Sequence, residues 1–423
     1  MTIRARIIRA RTCSFFTVLL IASACGDGGD EEGAGGMAAD VGAPTADAAA
    51  AGGAATEDAA AAGGAATEDA AAPDVGGAGG AMDGGSPPAP AICAFHAAGA
   101  AAISGRAFGA WVDRGYDIHI PPGYDCTVPA AVVLNIHGGG GSAEGVVRAT
   151  CEGGLALDPD LDSPHCLNHL ADRENFVVAS PNGTRIDARG RTYCAGGGAN
   201  GYAFIAATAC ERNVDDVAYI GELLDDLQGI INVDRRRVFS TGLSNGGALS
   251  HRLACELSDR IAAIASVGGL NQHGASTPEA CAPGRPVPVL MLHGTGDLCW
   301  PYEAQPPGSG MPAALGCHGA DVEGGLVASG PQSEALWAAN NGCGDATETV
   351  LPDVDPQDGS TITRIVYSGC DGNGDVEMYR IDGGGHTWPG GWQYRRPALI
   401  GPTNRDVVAT AVVWAFFAAH PMP

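Results

Sequence analysis

Lysine is missing from this chain; every one of its 23 Lys/Arg positions is arginine. A protein without a side-chain primary amine cannot form a lysine Schiff base, and it cannot supply the lysine of a phosphate-binding P-loop. Positive charge is scarce in general, 23 basic residues against 48 acidic ones, which argues against nucleic acid or anionic lipid heads as partners. Long apolar runs are also lacking. The first one, Phe15–Ala22, is too short to span a bilayer as a helix.

What is present begins with an export pattern. Arg4, Arg6, Arg9 and Arg11 precede that short apolar run, so residues 1–25 read as a signal peptide. Its end, Ile-Ala-Ser-Ala-Cys, resembles a lipoprotein signal with Cys25 as the acylated residue, on the surface of a bacterium; plain secretion after Ala24 is the alternative. Residues 26–90 are almost wholly Gly, Ala, Asp, Glu and Pro, and an eleven-residue unit repeats at 51–61 and 62–72. So little apolar bulk cannot bury a core, so this stretch is expected to be a disordered stalk. It carries twelve of the acidic residues. The remaining 91–423 suits one α/β enzyme domain with insertions. It holds 12 of the 14 cysteines, an even number behind an export signal, which implies disulfides of open connectivity.

Within that domain one stretch organises the rest. Val238–Gly247 contains Gly242-Leu-Ser244-Asn-Gly246, with a strand-like run before it and helical spacing of apolar residues after it. This is the strand–turn–helix setting of a nucleophile elbow: glycines two residues either side of the serine avoid collision with the adjacent strand and helix. The Asn245 amide, opening the helix, would face an oxyanion. Ala130–His137 reads as a strand buried on both faces, and it runs into Gly138 and Gly139, whose backbone could donate the second oxyanion amide.

A serine needs a base, and the base needs an acid to hold its tautomer. Two further strand ends supply candidates. Val287–His293 runs into Gly-Thr-Gly-Asp297, and Val376–Ile381 is followed by Gly383-Gly-Gly-His386. Nucleophile, acid, base is the chain order of α/β-hydrolases. The fold expected is therefore α/β, an α/β-hydrolase with a mostly parallel central sheet and helices on both faces. Helices are expected over 214–231, 248–255, 331–341 and 404–417, and further strands at 115–122, 176–180, 261–267 and 361–367. Asp215 and Asp216 suit a helix start rather than chemistry. His165 and His169 lack a third ligand at metal spacing, and the acidic run Cys370–Asp375 reads as a turn rather than a calcium loop. No metal or organic cofactor is required by a serine–histidine–aspartate site.

Gly-Leu-Ser-Asn-Gly-Gly (242–247), His-Gly-Thr-Gly-Asp (293–297) with Pro301-Tyr302, and Gly-Gly-Gly-His-Thr-Trp-Pro-Gly (383–390) together resemble the extracellular polyhydroxybutyrate depolymerase and feruloyl/acetylxylan esterase family. The resemblance covers about 116–417. It implies Ser244 as nucleophile, Asp297 as acid and His386 as base, and it implies that Cys255 pairs with Cys281 and Cys343 with Cys370. Leu298-Cys299-Trp300 and a cysteine-bearing stretch through 330 depart from the family pattern. Trp300, Tyr302 and Trp388 are the aromatic residues expected to line the substrate cleft. The expected substrate is a feruloyl or other plant-wall ester. A hydroxyalkanoate polyester is the alternative within the same chemistry, and a silent surface binding protein of the same fold is the alternative outside it.

Overall fold

The computed structural model describes residues 93, 102–111, 114–139, 141–155, 158–183, 215–271, 281–303 and 328–423. The expected export signal, Cys25, the stalk and most of the 298–330 stretch lie outside the described residues. What is described is a ten-stranded mixed sheet with helices against both faces.

Its centre is β3 (Ala130–Ile136), all seven residues of which are buried. A strand covered on both sides has no polar face, hence a run that is apolar but for Asn135. β3 is parallel to β4 (Val177–Pro181) on one side and to β5 (Val233–Leu243) on the other. Beyond β5 follow β6 (Ala263–Val267), β7 (Val289–Gly294) and β10 (Val376–Asp382), each parallel to its neighbour. Antiparallel margins complete the sheet: β2 (Tyr116–His119) and β1 (Ala102–Arg106) at one side, β9 (Thr361–Tyr367) and β8 (Ala346–Val350) at the other. The chain leaves β3 toward β4 and then returns to its opposite side for β5. That reversal opens a crevice at the C-terminal ends of β3 and β5, where open α/β sheets take their ligands.

Side-chain alternation assigns the two faces. Val132, Leu134 and Ile136 point to the core shared with α3 (Asp216–Gln228), α4 (Asn245–Glu256) and α5 (Gly330–Asn340). Ala131 and Val133 point to the core shared with α1 (Ala143–Thr150), α2 (Leu167–Glu174) and α7 (Ala409–Ala419). A single turn, α6 (Pro397–Ile400), precedes α7.

Asp215 caps α3, its side chain accepting the Ala218 amide at 2.9 Å, and buried Asp216 pairs with Arg114. The last helix starts at Ala409 rather than at 404. The Asn404 side chain accepts the Asp406 amide and donates to the Asp406 carboxylate, and the Asn404 carbonyl accepts the Gly390 amide. Such local side-chain bonds compete with the helix, which waits until they end.

Candidate active site

The elbow is built by close approach of backbones. A Cβ on Gly242 would lie 2.5 Å from the Ile136 carbonyl oxygen, and one on Gly246 only 2.0 Å from it. Glycine at both positions lets α4 start directly against the end of β3. Ser244 between them has φ 61° and ψ −122°, and Asn175 is the one other described non-glycine residue at positive φ. A serine held there stores on the order of 1–3 kcal/mol. The strain is balanced locally: the Ser244 amide donates to the Val267 carbonyl at 2.8 Å, and the Ser244 carbonyl accepts the Ala248 amide at 3.0 Å. The side chain is half-buried, and Asn245 follows as the first residue of α4.

The loop after β3 lies against this serine. A Cβ on Gly138 would come within 2.9 Å of Ser244 Cβ and 3.6 Å of its Oγ. The Gly138 carbonyl is turned into its own loop, accepting the Gly141 amide at 3.1 Å and facing His137 Nδ1 at 2.7 Å. Burial, with help from Arg114, pushes the His137 imidazole down to about 4, so the ring is neutral and its Nδ1–H donates. In a planar trans peptide the next N–H points opposite to the carbonyl, so the Gly139 amide faces away from that internal bond.

Acid and base meet because β7 and β10 are parallel neighbours. Their following loops knit together: the Gly296 amide donates to the Gly384 carbonyl and the Gly383 amide to Thr295 Oγ1, both at 2.9 Å. A Cβ on Gly294 would sit 2.2 Å from the Gly384 oxygen, so glycine is what permits the approach. His386 Nδ1 thereby lies 2.6 Å from Asp297 Oδ2, with both side chains buried. Asp297 Oδ1 accepts the amides of Cys299 and Trp300, each at 2.7 Å. The backbone of His386 is fixed as well: its amide donates to the Ile400 carbonyl, and its carbonyl accepts the Tyr394 hydroxyl at 2.8 Å. The ring lies over Gly268, where a Cβ would be 3.3 Å from Nδ1 and 3.6 Å from Leu243 Cδ1.

In sheet order, Gly138, Ser244, Gly268, Asp297 and His386 thus follow β3, β5, β6, β7 and β10 along one rim. With Nδ1–H donated to the carboxylate, Nε2 of His386 carries the lone pair of a base.

The three aromatic residues expected in the cleft are all buried. Trp388 is 0% exposed, its indole N–H donating to Thr410 Oγ1 in α7 at 3.0 Å. Trp300 and Tyr302 are 3% and 5% exposed and belong to the opposite core. Large rings gain more from burial than from lining an open wall, and these three are core residues that brace the loops. Leu298, next to Asp297, is 41% exposed. Sequence reading also passed over Gly268, Tyr394 and His293. His293 had a signal, its spacing of four from Asp297 at the strand end. His165 is engaged with the Gly390 carbonyl at 2.9 Å, and among the described residues no group of three metal-ligating side chains occurs.

Cys255 is bonded to Cys281 and Cys343 to Cys370, the pairs the resemblance implies; Cys93–Cys126 and Cys151–Cys166 are bonded as well. Cys299, two residues after Asp297, is also in a disulfide.

No family model matches the chain. It is similar to NocK of Nocardia uniformis subsp. tsuyamanensis, a protein whose esterase activity is an inference, at 29% identity over 70% of this chain and 76% of the relative. Feruloyl esterase D of Neurospora crassa is 29% identical over 49% of this chain, which spans 56% of that relative's length. Probable feruloyl esterase C of Aspergillus niger is 24% identical over 72% of this chain and 84% of its own. Among solved structures, an acetyl xylan esterase from Aspergillus awamori aligns over 65% of this chain and 89% of its own, at 17% identity and a TM-score of 0.40. The chain is thus similar, over up to about seven tenths of its length, to esterases that include feruloyl esterases.

Proposed function

We propose that this esterase works through a covalent acyl-enzyme on Ser244, with His386 as general base and Asp297 as the acid that orients it. The observation that carries the reading is the buried 2.6 Å contact of His386 Nδ1 with Asp297, on the same rim as a serine held at positive φ. Ser244 Oγ adds to the ester carbonyl as its proton passes to His386 Nε2. The proton then goes to the departing alcohol oxygen as the C–O bond breaks. Water, deprotonated by the same nitrogen, releases the carboxylic acid and frees the serine. The Asn245 amide and the Gly138–Gly139 loop stabilise the oxyanion, one such donor being worth about 3 kcal/mol of barrier.

The names of the relatives favour feruloyl and acetyl esters of plant-wall polysaccharide as substrates. Export, the stalk 26–90 and acylation at Cys25 complete the proposal, with 91–423 as the catalytic domain. The disulfides suit an oxidising compartment, and among the described residues no helix is long and apolar enough to cross a membrane.

A fluorophosphonate probe tests the mechanism: it is expected to modify the folded wild-type protein at Ser244 and to leave Ser244→Ala unlabelled. Absence of an adduct would favour a binding protein. Rates on methyl ferulate, acetylated xylan and polyhydroxybutyrate granules, each against the Ser244→Ala control, test the substrate. Faster turnover of the granules would transfer the assignment to the polyester.

A further inference from the structure

The Asp297 carboxylate has more partners than an orienting acid needs for its histidine. Oδ1 is held by two backbone amides, and Oδ2, which faces His386, has a second imidazole beside it: His293 Nε2 lies 3.5 Å away, with both side chains fully buried. The same Nε2 lies 2.7 Å from the Trp300 carbonyl oxygen. A carbonyl only accepts, so His293 carries its hydrogen on Nε2. Nδ1 has no partner, as the unprotonated nitrogen of a neutral ring in this core allows. Burial holds the ring below the usual histidine range, opposed by Asp297 and the Trp300 carbonyl and assisted by His386. His251 of α4 and the Tyr302 ring, 6.0 Å away, complete its surroundings.

The Asp297–Trp300 turn is thus closed from two sides. Its amides grip Oδ1 from within, and His293 grips its last carbonyl from the strand below while flanking Oδ2. We propose that His293 is a positioning residue for Asp297: its Nε2–H fixes the turn through the Trp300 carbonyl and so aims Oδ2 at His386. The proposal rests on Asp297 being the acid of the esterase site. His293 touches neither substrate nor the reacting atoms, so its effect must pass entirely through that carboxylate.

The test is a cycle in the full chain with His293→Leu, His293→Gln and His293→Asn, each made in the wild-type and the Asp297→Asn background, with folding checked by thermal unfolding. Glutamine can carry its amide N–H to about the place of Nε2, whereas leucine has no donor and asparagine is too short. Leucine and asparagine are expected to lower kcat about 10- to 100-fold with KM near wild type, the scale of a small misplacement at a reacting group. Glutamine is expected to restore most of kcat, and in the Asp297→Asn background all three are expected to change it less than about twofold, as for groups acting as a unit. Wild-type kcat in the asparagine variant, failure of glutamine to exceed asparagine, or an equal loss in the Asp297→Asn background would each overturn the proposal. Should leucine fail to fold, the asparagine–glutamine comparison decides. Wild-type activity in Asp297→Asn itself would instead remove the triad assignment and this role with it.

Discussion

Gly138 touches Ser244 because it has no side chain. Gly138→Ala would set a methyl 2.9 Å from Ser244 Cβ and 3.0 Å from the Leu243 carbonyl oxygen, and the loop must retreat. The proposed oxyanion amide moves with it, so kcat is expected to fall about 100-fold, the cost of one lost donor, with little change in the melting temperature. Steady-state kinetics beside a thermal melt will check this. Trp388 should behave in the opposite way. Trp388→Phe removes the indole donor of the Thr410 bond inside a closed core, so about 1–2 kcal/mol of stability should be lost and KM on any ester should stay put. Denaturant unfolding and KM measured on one preparation separate this from a cleft role. The difference between these residues marks what the sequence could reveal. A glycine directly after a buried strand announces a backbone constraint, because close approach makes glycine useful at that place. A tryptophan after a histidine says nothing about which way its ring turns, since core and cleft both favour it. His293 was legible as a neighbour of Asp297 in the chain, but its bond to a carbonyl three residues beyond Asp297 depends on how the turn closes.

At the scale of elements, α5 carries a buried carboxylate that should make stability depend on pH. Glu334 lies between the hydroxyls of Tyr302 and Tyr367, 3.4 Å from each, and burial raises its carboxyl from 4.5 to about 7. Between those values the folded protein holds a proton that the unfolded chain has released, so the linkage slope is negative. The contribution is complete below about pH 4.5 and is lost as the pH rises through about 7, a difference on the order of 3 kcal/mol. Glu334→Gln cannot titrate, and unfolding free energies at pH 5 and pH 8 should show a smaller loss in the variant than in wild type. Equal losses would mean that the carboxyl ionises normally in the fold. The helix itself was expected at 331–341, and β3, β6 and β7 were readable from largely apolar runs that reflect burial on both faces. β1 and β8 were not readable. Every residue of β8 is exposed, so its place in the sheet comes from backbone bonds to β9, which leave no pattern in side-chain polarity. The onset of α7 was misjudged for a related reason, since Asn404 and Asp406 suit a helix by position while the Asn404 side chain occupies the Asp406 amide that a helix would need.

For the whole molecule, the order of strands is the feature least visible in the chain, and it decides where the site lies. β10 slots between β7 and β9, bringing a histidine 89 residues beyond Asp297 to its side, and nothing local in either loop specifies that neighbour. The four disulfides that join described cysteines do not specify it either: each joins residues 15 to 33 apart in sequence, so they tighten segments rather than fix the order of the sheet. Stability and catalysis should therefore separate when one is removed. The Cys343–Cys370 bridge closes a separation of 27 residues just before β10, whereas His386 follows the far end of that strand. The rise from Val376 to Asp382 puts about 20 Å between the two ends, and the strand between them is held on both sides. Replacing both cysteines by serine should lower unfolding free energy by about 3.5 kcal/mol through the freed entropy of the unfolded chain. In the absence of denaturant kcat and KM should remain those of wild type, because β7 and β9 still hold β10 in register and the loops carrying Asp297 and His386 are bonded to each other. A urea titration followed by both fluorescence and ester hydrolysis gives the answer, since the two transitions should shift together. Loss of kcat before any unfolding would mean that this bridge reaches the site through β10, and that the rim depends on more of the molecule than its own loops.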